Sequence, residues 1–185
     1  MPTRAARIRF EAPLQRPAEQ SDAAWGFVVL PAAASAKLPT RGMVTVDGTL
    51  DGAPFRATLQ PDGEGSHWCK VDAALQRAAG VAPGVRVSLE MAPVAEEPEP
   101  AVPDDLHAAL GANPAAAATW HDITPVARRD WIHWITSGKK AQTRVDRIAA
   151  ACDKLAAGRR RACCFDRSGM YSRGKMGAPK AARDA

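Results

Sequence analysis

The stretch RRDWIHWITSGKKAQTRVDRI, residues 128–148, places two tryptophans and six lysines or arginines around a single Ser-Gly break. Thr124 and Pro125 precede it, and a capping hydroxyl followed by proline at the first helical position is typical of a helix start. We therefore predict a helix that begins after Thr124 and ends near Gly138. The basic residues then have two interpretations: a surface that holds a polyanion, or the solvated face of a helical hairpin.

A second helix is predicted over about residues 141–157, and it has the most regular apolar pattern in the chain. The members of this stripe recur mainly at three- and four-residue steps: Val145, Ile148, Ala149, Cys152, Leu155 and Ala156. Such spacing puts apolar side chains on one helix face, which would pack against the preceding helix. Gly158 is suited to end the helix.

Two shorter helices are predicted upstream, one with Asp104 as its cap and one opened by Asn113 and Pro114, so residues 104–161 form an all-α domain. Residues 92–103 are rich in Pro and Glu without any period, which is typical of an extended linker. Residues 162–185 form a basic C-terminal tail, whose last part we expect to be mobile.

The first 91 residues have the short alternating pattern of β-strands rather than a helical period. The predicted strands are in the segments IRFEA, WGFVVLP, GMVTVDG, PFRATLQ, HWCKV and GVRVSLEMA. Asp51-Gly52 is a strong hairpin signal, and VDAALQRAAG predicts one short helix with Asp72 as its cap and Gly80 as its end. Six short strands with close turns favour a small barrel, because closure removes exposed sheet edges. The predicted fold class is therefore α+β.

The charge of the 185-residue chain is unevenly distributed. The net formal charge is +5, and residues 1–103 carry 10 Lys/Arg against 12 Asp/Glu. Residues 104–161 carry 10 against 6, and residues 162–185 carry 5 against 2. Only the C-terminal part is therefore expected to attract a polyanion by charge.

The four cysteines indicate reduced thiols rather than a disulfide framework. Cys163 and Cys164 are adjacent, a poor arrangement for a structural disulfide, and no CxxC pair occurs. The four histidines are not at zinc-ligand spacing, so neither a metal nor a cofactor is expected. Cys163 and Cys164 form a candidate redox pair, with inert, partly buried thiols as the alternative. The sequence offers no signal peptide or membrane-spanning run, so we expect a cytoplasmic protein that does not insert into a membrane.

The segment TPVARRDWIHWITSGKKAQTRVDRIAAACDKLAAGRR, residues 124–160, resembles the C-terminal signature of the YdeI/OmpD-associated family, also described as bacteriocin-protection proteins. The positions that carry this resemblance are Thr124-Pro125, Arg128-Arg129, Trp131, Trp134, Lys139-Lys140, Thr143-Arg144, Arg147-Ile148, Leu155 and Gly158-Arg159. Ala141 departs from the pattern, which has proline there to open the last helix. The resemblance implies a role in tolerance of bacteriocins or antimicrobial peptides, through an envelope partner, and it brings no catalytic residues.

The first half is similar to a small barrel of unknown function that is often fused to that domain. WGFVVLP, VDGTLDGAPF and AAGVAPGVRVSLEM carry this second resemblance. It implies kinship with the double-split barrels of AbrB-type transition regulators. Likeness of fold does not transmit function, so the kinship alone does not predict DNA binding.

The candidate surface for a protein partner or an anionic ligand lies on the two C-terminal helices. Its residues are Arg128, Arg129, Trp131, Lys139, Lys140, Arg144 and Arg147. Trp131 and Trp134 have a second interpretation, as an apolar face packed against the last helix. Interleaved aspartates such as Asp130, Asp146 and Asp153 can also neutralise several of the charges by local pairing.

Two alternative functions remain open at this point. The two helices could act as a helix-turn-helix that presents Gln142, Arg144 and Arg147 to a nucleic acid. The barrel could instead hold a small molecule or an enzymatic site in a pocket near Trp25, His67 and Trp68, with Cys69 and His67 as a nucleophile pair. Neither GxSxG nor HExxH is present. We expect a non-catalytic binding or accessory protein, and its oligomeric state stays open.

Overall fold

The computed structural model describes residues 7–20, 22–162 and 177–183. These residues form two compact units. The barrel unit comprises the described residues up to Ala95 together with 177–183, and the helical unit comprises residues 96–162. The predicted α+β class, a β-barrel followed by a helical domain, is confirmed.

The barrel unit contains a single antiparallel sheet of six strands in the order β1-β6-β3-β4-β5-β2. The strands are β1 (Ile8–Pro13), β2 (Gly26–Val29), β3 (Val44–Leu50), β4 (Ala53–Pro61), β5 (His67–Val71) and β6 (Arg86–Pro93). The chain just after β1 pairs with β2, since Gln15 and Phe27 exchange backbone hydrogen bonds of 2.8 and 2.9 Å. This bridge links the two outer strands and nearly closes the predicted barrel.

Local turn chemistry sets the register of the barrel. Asp51 and Gly52 have φ values of 44° and 88°, as the tight turn between β3 and β4 requires. The Asp51 carboxylate also accepts a 2.8 Å hydrogen bond from the Ser88 backbone N–H. Gly48 is needed for a different reason, because a Cβ there would lie 2.2 Å from the Glu90 carbonyl oxygen on β6.

Two short helices belong to the barrel unit, one more than predicted. The unexpected helix α1 covers Ala32–Ser35. The predicted helix α2 covers Ala73–Ala79, where the Asp72 carboxylate caps the Leu75 N–H at 2.8 Å and Gly80 ends the helix in the left-handed conformation. The barrel interior is filled by alternating apolar side chains, among them Ile8, Leu14, Val28, Leu30, Val46, Leu50, Leu59, Val71, Leu89 and Met91.

The helical unit contains α3 (Asp104–Gly111), α4 (Pro114–Asp122), α5 (Pro125–Thr136) and α6 (Ala141–Ala156). The predicted caps of two helices are confirmed: Asn113 accepts from the Ala116 N–H at 3.1 Å, and Thr124 from the Ala127 N–H at 3.3 Å. The predicted cap at Asp104 is wrong, because Pro103 holds the cap position and Asp104 is already helical.

The apolar stripe of α6 differs from the prediction. Its buried side chains are Ile148, Ala151, Cys152 and Leu155. Val145 is 59% exposed, and Ala149 and Ala156 are exposed as well. The stripe is continued toward the N-terminus by Arg144 and Arg147, which are only partly exposed and lie four residues before Ile148 and Ala151, respectively. Long arginine stems can cover apolar surface while the guanidinium is held at its edge.

The last described residues return to the barrel unit instead of forming the mobile end that we expected. The Ala178 N–H donates to the Asp62 carbonyl at 3.0 Å, and the Ala182 N–H donates to the Arg16 carbonyl at 2.8 Å. The Ala18 N–H in turn donates to the Lys180 carbonyl at 2.8 Å. Residues 177–183 are therefore part of the barrel unit although they follow the helical unit in sequence.

Candidate functional site

Arg128 and Arg129 of α5 form ion pairs with the acidic segment that precedes α3. We call residues 96–103 the acidic strap. Arg129 Nη1 lies 2.9 Å from a carboxylate oxygen of Glu97, and both side chains are largely buried, 13% and 12% exposed. Arg128 Nε lies 3.2 Å from a carboxylate oxygen of Glu99, whose side chain is 56% exposed. The acidic strap therefore supplies two carboxylates to the centre of the predicted basic surface.

Each of these arginines also has a second acceptor on the helices themselves. Arg128 Nη2 donates to the Ile123 carbonyl at 2.9 Å, at the end of α4. Arg129 Nη2 donates to the Asp130 carboxylate at 3.0 Å. Burial raises the pKa of Asp130, and the neighbouring Arg129 only partly offsets this. Arg129 thus stands between two carboxylates in a poorly solvated place.

The other two arginines of the predicted surface tie helices together. Arg144 donates to both carboxylate oxygens of Asp105, at 2.6 and 2.9 Å, and so links α6 to α3. This pairing holds the pKa of Asp105 below its usual value. Arg147 donates to the Trp134 carbonyl and to Ser137 Oγ, the latter at 2.8 Å, at the end of α5. These contacts give both residues a structural role.

Trp131 and Trp134 lie in the core of the helical unit. Trp131 is 1% exposed, and the two rings meet edge to face with centroids 5.9 Å apart. The Arg147 guanidinium lies over the Trp134 ring at 5.3 Å. The structure therefore matches the packing interpretation of the two tryptophans, and Trp131 does not lie on the surface where a ligand could stack on it. Among the described residues, neither indole N–H has an acceptor.

The turn between α5 and α6 carries the exposed part of the predicted surface. Lys139 and Lys140 are both exposed there. α6 begins at Ala141 even without the proline of the resembled pattern, and Lys140 holds its cap position without a side-chain capping bond. Val145 stands exposed one turn further along α6. This turn therefore combines two cations with an accessible apolar side chain.

His133 lies in α5, where the charges of Arg129 and Arg147 act on its imidazole. Its side chain is half-buried. Burial lowers the pKa of His133, and the charges of Arg129 and Arg147 lower it further. The imidazole is therefore held in its neutral form more strongly than in an unfolded chain.

The three residues of the predicted barrel pocket make contacts within the barrel unit. His67 is buried, with Nδ1 2.7 Å from Ser35 Oγ and Nε2 2.8 Å from the Gly42 carbonyl oxygen. Trp68 packs edge to face against Phe27, at a centroid distance of 6.2 Å. Trp25 is only half-buried, and its indole donates to Gln20 at 3.2 Å. Within the described part of the barrel unit, His67 and Trp68 are therefore largely inaccessible, at 2% and 8% exposed.

The pairing of Cys69 with His67 as nucleophile and base does not fit the geometry either. Both ring nitrogens of His67 already have partners, so neither is available to accept a proton from the thiol. Burial raises the pKa of Cys69 to about 12. A thiol in that state is inert toward nucleophilic chemistry at neutral pH. Cys163 and Cys164, the candidate redox pair, lie outside the described residues.

A cleft that the sequence did not predict lies on the outside of the barrel unit. It has a volume of about 520 Å³ and lies between β4, β5 and α2, with Phe55 and Leu75 among its apolar lining residues. Arg56, Lys70 and Asp72 supply its charged groups. Arg56 is already paired with Asp47 at 2.6 and 2.8 Å, and Lys70 lies over the Trp25 ring at 4.8 Å.

Comparison with protein families places both units. Residues 99–158 match the family model described as "Bacteriocin-protection, YdeI or OmpD-Associated". This segment is therefore similar to the YdeI/OmpD-associated domain. Residues 10–91 match the model of a domain of unknown function, DUF1905. No curated protein matches the chain. The predicted resemblance is thereby confirmed for both halves, while the kinship with AbrB-type barrels stays a prediction.

The match to the YdeI/OmpD-associated domain starts within the acidic strap, at residue 99. Residues 96–162 carry 10 Lys/Arg and 9 Asp/Glu, because the strap adds three glutamates to the helices. The excess of positive charge that the helices show in sequence is thus nearly balanced within the unit. Polyanion attraction by net charge is correspondingly weak.

The described residues show neither a cluster of metal-binding side chains nor a helix able to span a membrane. No group of three or more His, Cys, Asp or Glu side chains in the described residues is arranged to hold a metal ion. Of the helices in this part of the chain, none is both long and apolar enough to cross a membrane.

Proposed function

We propose that the protein is a non-catalytic accessory factor in protection against bacteriocins or antimicrobial peptides, which acts by binding a protein partner or an anionic ligand. The observation that carries this proposal is the match of residues 99–158 to the bacteriocin-protection, YdeI or OmpD-associated family. The proposed binding surface is the basic side of the helical unit. It is formed by Arg128 and Arg129, which pair with the acidic strap, and by the exposed turn at Lys139 and Lys140.

The geometry of the two units supports a binding role over a catalytic one. In the barrel unit the groups with nucleophilic or basic chemistry, Cys69 and His67, are buried and occupied. In the helical unit Arg144 forms a partly exposed ion pair with Asp105, and the next residue of α6, Val145, is exposed. Charged side chains around an exposed apolar residue are suited to protein recognition.

Nucleic-acid binding is the competing proposal, and the contacts of the arginines weigh against it. A helix-turn-helix would need Arg144 and Arg147 free for phosphates or bases. Arg144 instead makes a bidentate pair with Asp105, and Arg147 binds Ser137 and the end of α5. A DNA-binding protein would show steeply salt-dependent binding in a shift assay.

A survival assay tests the proposed function. The chain is expressed in a sensitive bacterium, and the inhibitory concentration of each member of a panel of peptide bacteriocins is measured. We expect the wild-type chain to raise this concentration for at least one member, and Lys139→Glu/Lys140→Glu to abolish the effect. The control variant Lys37→Glu/Arg77→Glu reverses two exposed charges in the barrel unit and should still protect. Unchanged inhibitory concentrations across the panel for the wild-type chain would contradict the proposal.

A further inference from the structure

The acidic strap binds the helical unit as a peptide ligand would bind a receptor. It places carboxylates from two residues, Glu97 and Glu99, on two consecutive arginines of one helix. Residues 96–103 lie in neither a helix nor a strand, and Pro98, Pro100 and Pro103 have no backbone N–H to donate. Side-chain charge is therefore a main source of its attachment.

The two ends of this contact differ in strength. Glu97 and Arg129 form a largely buried pair at 2.9 Å. Glu99 is more than half exposed, and Arg128 Nε, although 3.2 Å from its carboxylate, donates no properly oriented hydrogen bond to any described residue. An exposed ion pair with poor geometry contributes little to stability. The Glu99 end can therefore separate from α5 first.

The arginines remain partnered when the strap is absent. Arg128 keeps the Ile123 carbonyl, and Arg129 keeps the Asp130 carboxylate. The large cost of leaving a buried charge without any partner is thereby avoided. The pair on α5 can thus exchange one set of carboxylates for another without unfolding.

We propose that the acidic strap is an internal substitute for an acidic, extended segment of a partner protein, and that this segment binds Arg128 and Arg129 by displacing the strap. The partner segment carries carboxylates two residues apart, as Glu97 and Glu99 are. This inference rests on the proposed binding function and specifies its ligand. Because the strap is part of the same chain, it competes for Arg128 and Arg129 at a high effective concentration. Weakly binding ligands are therefore excluded, and only a segment whose carboxylates fit both arginines can displace the strap.

A peptide-binding experiment on the full chain tests the inference. The probe is a fluorescent peptide with the sequence of residues 94–103, VAEEPEPAVP. Fluorescence anisotropy should show weak binding to the wild-type chain. Binding to Glu97→Gln/Glu99→Gln should be tighter by about tenfold or more, because the internal competitor has lost its charges. The matched control is Glu96→Gln, an exposed strap glutamate without an ion pair among the described residues, and it should bind as the wild type does.

Two further variants keep the test decisive. Adding Arg128→Gln to the double variant should remove the gain in affinity. Glu99→Gln alone changes only the exposed end of the strap, and it should give part of the gain even if the double variant unfolds.

Equal affinity of the wild-type chain and of the folded strap variants would overturn the inference. So would binding of a single-stranded oligonucleotide in preference to the peptide. The survival assay tests the proposed function separately. If the chain protects cells but does not bind the peptide, the proposed function stands and the inference about the strap is wrong.

Discussion

The two units of this chain stabilise polar groups in opposite ways. In the barrel unit several buried polar side chains form hydrogen bonds within the unit: Thr45 with Thr58 at 3.0 Å, and Gln76 with the Val71 carbonyl at 3.0 Å. Its ion pairs, such as Arg56 with Asp47, lie on the surface. In the helical unit the ion pairs of Arg129 are largely buried. Within the described residues, the indole N–H groups of Trp131 and Trp134 have no acceptor, and neither does that of Trp68 in the barrel unit. The barrel unit is held together by backbone hydrogen bonds between its strands, whereas the packing of the helices depends on particular charged side chains.

The largest effect is expected from the core of the helical unit. Trp131→Ala removes a side chain that is almost fully buried and leaves a cavity against Trp134. The free energy of unfolding should fall by about 3–5 kcal/mol, as for other large-to-alanine changes in cores. Urea denaturation followed by circular dichroism measures this. A loss below about 1 kcal/mol would show that the helical unit does not depend on this side chain.

A matched pair of arginine variants tests the contrast between the units directly. Arg129→Ala leaves Glu97 and Asp130 facing each other without a cation, and we expect a loss of about 2 to 3 kcal/mol, less than for a fully buried pair because some solvent reaches the site. Arg56→Ala removes a pair that is shorter, at 2.6 Å, but exposed to solvent, and the unfolding midpoint should scarcely change. Equal losses in the two variants would remove the distinction between the units.

The smallest effect is a difference in pH response. The pKa of His133 lies below its ordinary value of 6.5, so as the pH falls below 6.5 the unfolded chain takes up a proton that the folded chain does not. The helical unit therefore loses stability as the pH falls from that value to the lowered pKa. Asp47 in the barrel has a pKa lowered by Arg56, so its contribution is lost only as the pH falls below about its ordinary value of 3.8.

The measurement is the thermal midpoint at pH 7.5 and pH 5.5 for the wild type and for His133→Gln. The decrease between the two pH values should be smaller in the variant. Asp130 acts with the opposite sign, because its raised pKa makes the folded unit gain relative stability as protons are added. Asp130→Asn is therefore the control that separates the two contributions. An identical decrease in His133→Gln and wild type would exclude His133 as the cause.

The same contrast explains what the sequence could predict. All six strands and the turn at Asp51-Gly52 were predictable, because alternation and turn chemistry are local properties. The partners of the arginines were not, since Glu97 and Glu99 precede α5 by some thirty residues and Asp105 precedes Arg144 by 39. The partners of His67 were not predictable for a similar reason: they come from Ser35 and Gly42, which no spacing rule connects to it.

The stripe of α6 failed on a different physical point. A pattern based on side-chain hydrophobicity assigns Val145 to the core and excludes Arg144 and Arg147. The structure does the reverse, because a paired guanidinium allows an arginine stem to pack where a valine would otherwise be expected. Charge patterns therefore predicted the location of the candidate surface but not which of its members are committed to holding the helices together.

The return of residues 177–183 to the barrel unit has a consequence for biosynthesis. A ribosome completes all six strands and then the whole helical unit before it makes the segment that pairs with Arg16, Ala18 and Asp62. The nascent barrel must therefore exist for a time with those backbone groups bonded to water, while the helices fold behind it. The first unit to start folding is in this way the last to be finished, and its final hydrogen bonds form only after the helical unit has been translated.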